Sequence, residues 1–393
     1  MNLACYPRFV DSPYLPTSYR PDLQGIRALA VILVIFSHAG ISGFAGGFIG
    51  VDIFFVLSGF VITSLLLRQP QGNFLSNLKV FYTRRILRIL PAATLVLVVT
   101  PLAAFFLIGD AMDPALLSDV RWANLFAANW NLINNGSSYF VAGVNPSLVT
   151  HFWSLAVEEQ FYILFPSTVF VFSYFKFLYK HKIYFQLFLI VIIAISAWWS
   201  LTITTSSPVE AYYSPFTRFW ELAIGALIAS VSIQLNKLMT HLFDGIGFAL
   251  IILSLAILSP TSHYPGTLAW FPVCGTALLI LTGTSSSTGL TKRFLSLKVM
   301  STIGDLSYSL YLWHFIWIAI PPLVFTGLDP LWLIFLGIFG AVLTGLLSYH
   351  FLENPFRHSE KLRGDPFSVF ILLGICLVLV WDSTLITNWL ATR

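Results

Sequence analysis

Arg27 and His38 stand eleven positions apart in GIRALAVILVIFSHAG, residues 25–40, with only apolar and small residues between them. On a helix of 3.6 residues per turn that is about three turns, so both side chains share one stripe, roughly 16 Å apart. Imidazole exchanges protons near neutral pH, and guanidinium is a permanent cation suited to phosphates. Ionisable groups inside an apolar span are expensive and usually face a cavity or a partner. Arg27 is also explained by snorkelling to the headgroups, and His38 by a hydrogen-bonded structural role.

Further candidates follow along the chain. In GGFIGVDIFFVLSGF, residues 46–60, Asp52 lies inside an apolar run, where a carboxylate must find a cation or hold a proton. Two readings stand: Asp52 pairs with His38 and sets its tautomer, or it serves a backbone group or an arginine structurally. Gly46, Gly47 and Gly50 beside it allow close helix approach. YTRRILRILP, residues 82–91, places Arg84, Arg85 and Arg88 at the mouth of the next run. Arg84 and Arg88 share a face and suit either an anionic-lipid anchor or a phosphate grip. HFWSLAVEEQFYILFP, residues 151–166, carries Glu158 and Glu159. Adjacent helical residues point about 100° apart, which predicts different roles for the two. Arg218 and Glu221 in RFWEL are three apart and are expected to pair. YSLYLWHF adds His314, and FLENPF ends on a run holding Glu353.

The elements that carry these residues are membrane helices. The chain is 57% hydrophobic and 10% charged, with a mean hydropathy of +0.82, whereas a soluble domain carries roughly a quarter charged residues. Apolar runs of bilayer-crossing length predict an all-α polytopic fold of about eleven spans. They are Gly25–Ile41, Phe48–Leu67, Ile86–Ile108, Ser154–Phe175, Ile183–Ile203, Phe216–Val231, Asp244–Leu258, Leu268–Leu281, Ser307–Val324, Leu331–Phe351 and Val369–Asn388. With the N-terminus cytoplasmic and the C-terminus extracytoplasmic, eighteen of the 21 Lys and Arg fall on the cytoplasmic side, as positive-inside loops require. Mixed residues including Arg8, Asp11, Arg20 and Asp22 precede the first run, which reads as a retained span and not a signal peptide. Cys5, Cys274 and Cys376 are scattered and suggest neither a disulfide framework nor a metal site. The connection from Gly109 to Trp153 contains ANWNLINNGSSYF, an aromatic and amide surface for sugars or an interfacial belt. The domain plan is a cytoplasmic segment over 1–20, a ten-helix membrane unit over 21–358, and a loop with an eleventh helix over 359–393. No nucleic-acid partner is expected.

The ordered set of motifs (Arg-x10-His, GGFxGVDxFFVLSGF, RRILR, FWSLxxEExFY, RFWEL and YSLYLWH) resembles the membrane-bound acyltransferase family 3, from about Tyr19 to Arg357. Within it, the chain looks most like bacterial O-acetyltransferases of surface polysaccharide, of the O-antigen acetylase type. The resemblance implies an enzyme of the bacterial inner (plasma) membrane that takes an acyl group from cytoplasmic acyl-CoA. Acetyl-CoA is the expected donor, and no metal is expected. The acceptor is a hydroxyl of a surface or lipid-linked glycan on the far side. The family's functional positions map onto Arg27, His38, Arg84, Arg85 and Arg88, with Glu158 as the carboxylate of the SLxxEE motif.

On this reading His38, oriented by Asp52 or Glu158, is the base, or carries the acyl group as a covalent adduct. The arginines hold the CoA phosphates, and the Arg27–His38 separation is of the order of a pantetheine arm. Relatives often continue from an eleventh span into an extracytoplasmic hydrolase-like domain. Here the chain stops at Arg393, so either that domain is lacking or the sequence is truncated. A polytopic exporter of a lipid-linked sugar or small metabolite is the alternative, and a membrane sensor or scaffold is a third.

Overall fold

A computed structural model describes residues 20–67, 74–109, 112–137, 147–174, 182–231, 233–283 and 289–393. Arg8, Asp11, Arg68, Lys176, Lys180, Cys5 and the last part of the aromatic and amide run lie outside the described residues. Each of the eleven apolar runs coincides with a helix. In chain order the helices begin with α1 Pro21–His38, α2 Gly50–Leu67, α3 Phe74–Ile108, α4 Ala115–Asn124, α5 Ala128–Asn134 and α6 Phe152–Tyr174. They continue as α7 Lys182–Ile203, α8 Pro208–Tyr213, α9 Pro215–Ser230, α10 Lys237–Ile257, α11 Trp270–Thr282 and α12 Leu290–Leu295. The last are α13 Lys298–Val324, α14 Pro330–Ser348, α15 Asn354–His358, α16 Glu360–Gly364 and α17 Pro366–Ala391. Seven helical stretches among the described residues are long and apolar enough to cross a membrane, and the chain is a multi-pass membrane protein.

Local sequence explains several helix starts. Ser214, Asp329 and Asp365 each accept a hydrogen bond from a backbone N–H two residues on, and each is followed by proline at the first helical position. The oxygen caps an orphan donor, and proline supplies a preset φ where no N–H is needed. The third helix departs from expectation. It begins at Phe74 and not near Ile86, so the helix is longer than the apolar run and Arg85 lies about three turns along it.

Contacts divide the chain into two units that interleave in sequence. The first comprises residues 1–34, 42–78 and 160–305, and the second residues 35–41, 79–159 and 306–393. Within the first, α2 and α9 meet backbone to backbone. A Cβ on Gly59 would stand 1.8 Å from the Leu222 carbonyl oxygen, and one on Gly225 would stand 2.0 Å from that of Val56. Gly50 makes the same kind of approach to Ala30 on α1, at 2.3 Å. These rows let the polar residues of α2 and α9 reach each other. The obstructing atoms are backbone, so Gly59→Ala is expected to destabilise the fold by about 3 kcal/mol, the upper range for overpacking. Thermal unfolding in detergent checks this, and a parental midpoint would contradict the backbone contact.

Within the second unit, α17 is tied to α4. Arg121 donates to Thr384 Oγ1 at 2.9 Å and lies 5.0 Å from the Trp381 ring centroid, while Asn124 donates to the Leu377 carbonyl at 3.0 Å. Asn129 and Asn131 are also buried, the latter donating to Asp119 at 2.6 Å. These amides of the α3–α6 connection are thus turned inward, where an unpaired amide would be costly. Asn129 and Asn131 are thus no part of an outward surface, whereas Asn134 and Asn135 of the same run are exposed and Trp130 is half-buried. Outward helix faces are apolar, as at Ile195, Phe339 and Val378, each more than half exposed, and a bilayer covers such faces.

Candidate active site

The polar residues form one constellation in each unit. In the first, Asp52 on α2 pairs with Arg218 on α9 at 3.1 Å, and Arg218 pairs with Glu221 at 3.0 Å. All three side chains are essentially inaccessible. The guanidinium carbon also sits 5.5, 5.8 and 5.6 Å from the ring centroids of Phe55, Tyr212 and Tyr264, favourable cation–π distances. The Arg218–Glu221 pair is the one their spacing predicts. Asp52, expected as an orienter of His38, is instead held by arginine, the structural alternative. A guanidinium compensates a buried carboxylate's charge, which a neutral imidazole does not. Arg27, also in this unit, donates to Gln24 Oε1 at 3.1 Å.

The second unit holds a cluster of imidazoles. His38 is the last helical residue of α1, and the helix stops there because Gly40 turns the chain at φ +69°. Gly40 N–H bonds to Ser37 O and Ile41 N–H to Phe36 O, both at 3.1 Å, which closes a Schellman motif. The ring is thereby set at a helix carbonyl end, where positive charge is favoured. His38 Nδ1 lies 3.1 Å from Nε2 of His314 on α13. The two rings are 5.1 Å apart, with Phe315 edge-on to His38 at 5.2 Å. His38 keeps part of its surface open, whereas His314 is fully buried.

His151 is packed beside this pair. Its ring stacks on Phe315 at 5.2 Å, and its Nε2 donates to the Leu312 carbonyl at 3.1 Å. Tyr311 joins α13 to the start of α6, donating to the His151 carbonyl at 2.9 Å with Ser154 Oγ 2.7 Å away. Six residues before His314, Tyr308 donates to Ile89 O on α3 at 2.8 Å. Arg85, Arg88, Glu159 and Glu353 all act electrostatically on Tyr308. Arg85 donates to Glu159 at 2.9 Å and lies 3.8 Å from Glu158. Glu353, at a π-helical turn after α14, accepts from Ser309 at 2.7 Å.

A polar seam therefore runs along α13, with arginines and carboxylates at one level and paired imidazoles roughly 9 Å away along the axis. Such a seam can carry an anionic ligand beside a base. Glu158 and Glu159 were expected to separate, yet both turn to Arg85. The arginine cluster does separate. Arg84 is exposed while Arg85 and Arg88 are half-buried; Arg84 was expected to share a face with Arg88, but Arg88 lies between the other two around the helix, roughly 40° from Arg84 and roughly 60° from Arg85, and its burial goes with Arg85. Glu158, the other expected orienter of His38, is thus engaged by arginine, and His314 takes that place. Tyr308, Tyr311 and His151 were not singled out from the sequence. Their signal was the polar spacing of three and four within apolar runs, as in His151, Ser154 and Glu158. Among the described residues, no group of three or more His, Cys, Asp or Glu side chains is placed to hold a metal ion.

A family profile described as an acyltransferase domain matches residues 20–350. Peptidoglycan O-acetyltransferase OatA of Listeria monocytogenes is 33% identical over 356 residues, covering 86% of this chain and 56% of that protein. O-acetyltransferase OatA of Staphylococcus aureus is 30% identical over 365 residues, covering 88% and 58% respectively. The chain spans less than two thirds of the length of either relative. No solved structure matches it significantly.

Proposed function

We infer the function from one premise: this chain belongs to the acyltransferase domain family. It transfers an acetyl group from acetyl-CoA, bound from the cytoplasmic side, to a hydroxyl of a glycan on the far side of the membrane. The acceptor class is a peptidoglycan-type cell-wall glycan, by likeness to the Listeria relative, in preference to an O-antigen. The observation that carries the reading is the imidazole pair, with His38 half-open, on the same seam as Arg85 and Arg88.

Acyl transfer needs a base for the hydroxyl proton, and imidazole is suited to it near neutral pH. His38 takes that proton as the oxygen attacks the thioester carbonyl. The carbon–sulfur bond breaks, and the proton returns to the departing thiolate to give CoA-SH. The arginines bind phosphate, for which their planar forks provide paired donors. Eleven spans with a cytoplasmic N-terminus complete the arrangement, so that donor and acceptor approach from opposite faces.

Purified protein in liposomes, given radiolabelled acetyl-CoA inside and muropeptides outside, tests the reading. Label in the glycan supports it, and movement of solute without acyl transfer supports an exporter. A second measurement isolates donor binding. Arg85→Ala is expected to raise the acetyl-CoA Kd about tenfold or more, the loss of one charge-assisted hydrogen bond. Unchanged affinity in a calorimetric titration would return the cluster to a lipid anchor.

A further inference from the structure

The hydrogen bonds around His314 assign protons to both imidazoles. A backbone carbonyl only accepts, so the 2.6 Å contact between His314 Nδ1 and Tyr311 O requires a hydrogen on that nitrogen. His314 is fully buried among aromatic neighbours, Tyr311 and Phe315 included, and makes no ion pair among the described residues. A cationic ring there would have no counter-ion, so the neutral form is the one the site holds. With its one hydrogen on Nδ1, His314 presents a lone pair at Nε2. The 3.1 Å contact from His38 Nδ1 to that atom must then be a donation from His38. In its neutral form His38 in turn carries its hydrogen on Nδ1 and its lone pair on Nε2.

We propose that His314 is a positioning residue that fixes His38 in the Nδ1–H tautomer, so that Nε2 is the atom that accepts the acceptor's proton. The inference rests on the acyl-transfer reading above. A carboxylate does this work in serine-hydrolase triads; here a neutral imidazole, anchored by the Tyr311 carbonyl, replaces it. The proton count closes. His38 gains one proton at Nε2 from the hydroxyl and keeps its Nδ1–H directed at His314, then releases the Nε2 proton to the thiolate. Tyr311 supports the chain twice, through its carbonyl to His314 and through its hydroxyl to the His151 carbonyl. Orientation of α13 against the start of α6 is thereby coupled to the base.

Two substitutions separate this role from packing. In His314→Gln the amide oxygen stands near the former Nε2 and still accepts from His38. His314→Met fills similar volume with only a weak thioether acceptor. Gln is expected to keep kcat within about tenfold, and Met to lose roughly 100-fold, the lower range for general-base catalysis. KM for acetyl-CoA is expected to stay within about twofold in both. Met equal to or better than Gln would mean that His314 only packs, and would overturn the proposal.

The second readout needs no activity. In ¹⁵N-histidine-labelled full-length protein, with His38 signals identified by subtraction of the His38→Ala spectrum, the protonated nitrogen is expected to be Nδ1. A wild-type ring protonated at Nε2 overturns the proposal alone and leaves the transferase reading intact. Undiminished transfer by His38→Ala overturns both.

Discussion

His38→Ala is expected to lower acetyl transfer by roughly 100- to 10,000-fold, the range attributed to a positioned general base, without loss of folded protein. The expectation of normal folding comes from the position. His38 is partly open and ends α1 at a turn made by Gly40, and alanine is the best helix former. The ring's bond to His314 joins two imidazoles. His38→Asn provides the control. Its amide can still donate to His314, but an amide is no base at neutral pH. A structural role predicts that Asn restores the rate; a basic role predicts that Asn is as inactive as Ala. Transfer of labelled acetyl by equal amounts of monodisperse protein decides between them, and a near-parental rate for Ala would remove His38 from the chemistry.

The second large effect concerns stability. Arg218→Met leaves Asp52 and Glu221 buried with no cation between them, and breaking a buried pair in this way costs about 3–5 kcal/mol. Against a total stability of roughly 5–15 kcal/mol, that removes a large share of the margin, and a lower midpoint and yield of folded protein are expected. Removing all three charges together, as Asp52→Asn, Arg218→Met and Glu221→Gln, is expected to recover folded protein, because no uncompensated charge remains. Size-exclusion chromatography of a fluorescent fusion measures both. Equal recovery of the single and triple variants would show that the ion cluster does not bear on folding. If the folded triple variant still transfers acetyl groups, Asp52 is confined to architecture. A folded but inactive triple variant would restore Asp52 to the reaction.

The helices were legible because their causes are local. An apolar run of membrane length satisfies its own backbone hydrogen bonds only as a helix in lipid, and Ser214, Asp329 and Asp365 mark helix starts by capping chemistry written beside Pro215, Pro330 and Pro366. The pairing of Arg218 with Glu221 was local too, one turn along one helix. The start of α3 was not legible, since residues 74–85 mix apolar Phe74, Leu75, Leu78, Val80 and Phe81 with Asn77, Lys79, Arg84 and Arg85 and so form no unbroken apolar run, yet the helix continues through them.

What sequence alone determined about this protein is its set of apolar helices and which ionisable side chains those helices carry, His38 and the arginines among them. Beyond the local Arg218–Glu221 pair, partner choice was decided only by tertiary structure. His38 meets His314 across 276 positions and Arg85 meets Glu159 across 74, while Asp52 is claimed by Arg218 because Gly59 and Gly225 let two backbones touch. The physical reason is that spacing along a chain fixes which residues share a helix face, whereas the packing of one face on another fixes which charge or lone pair each residue finds.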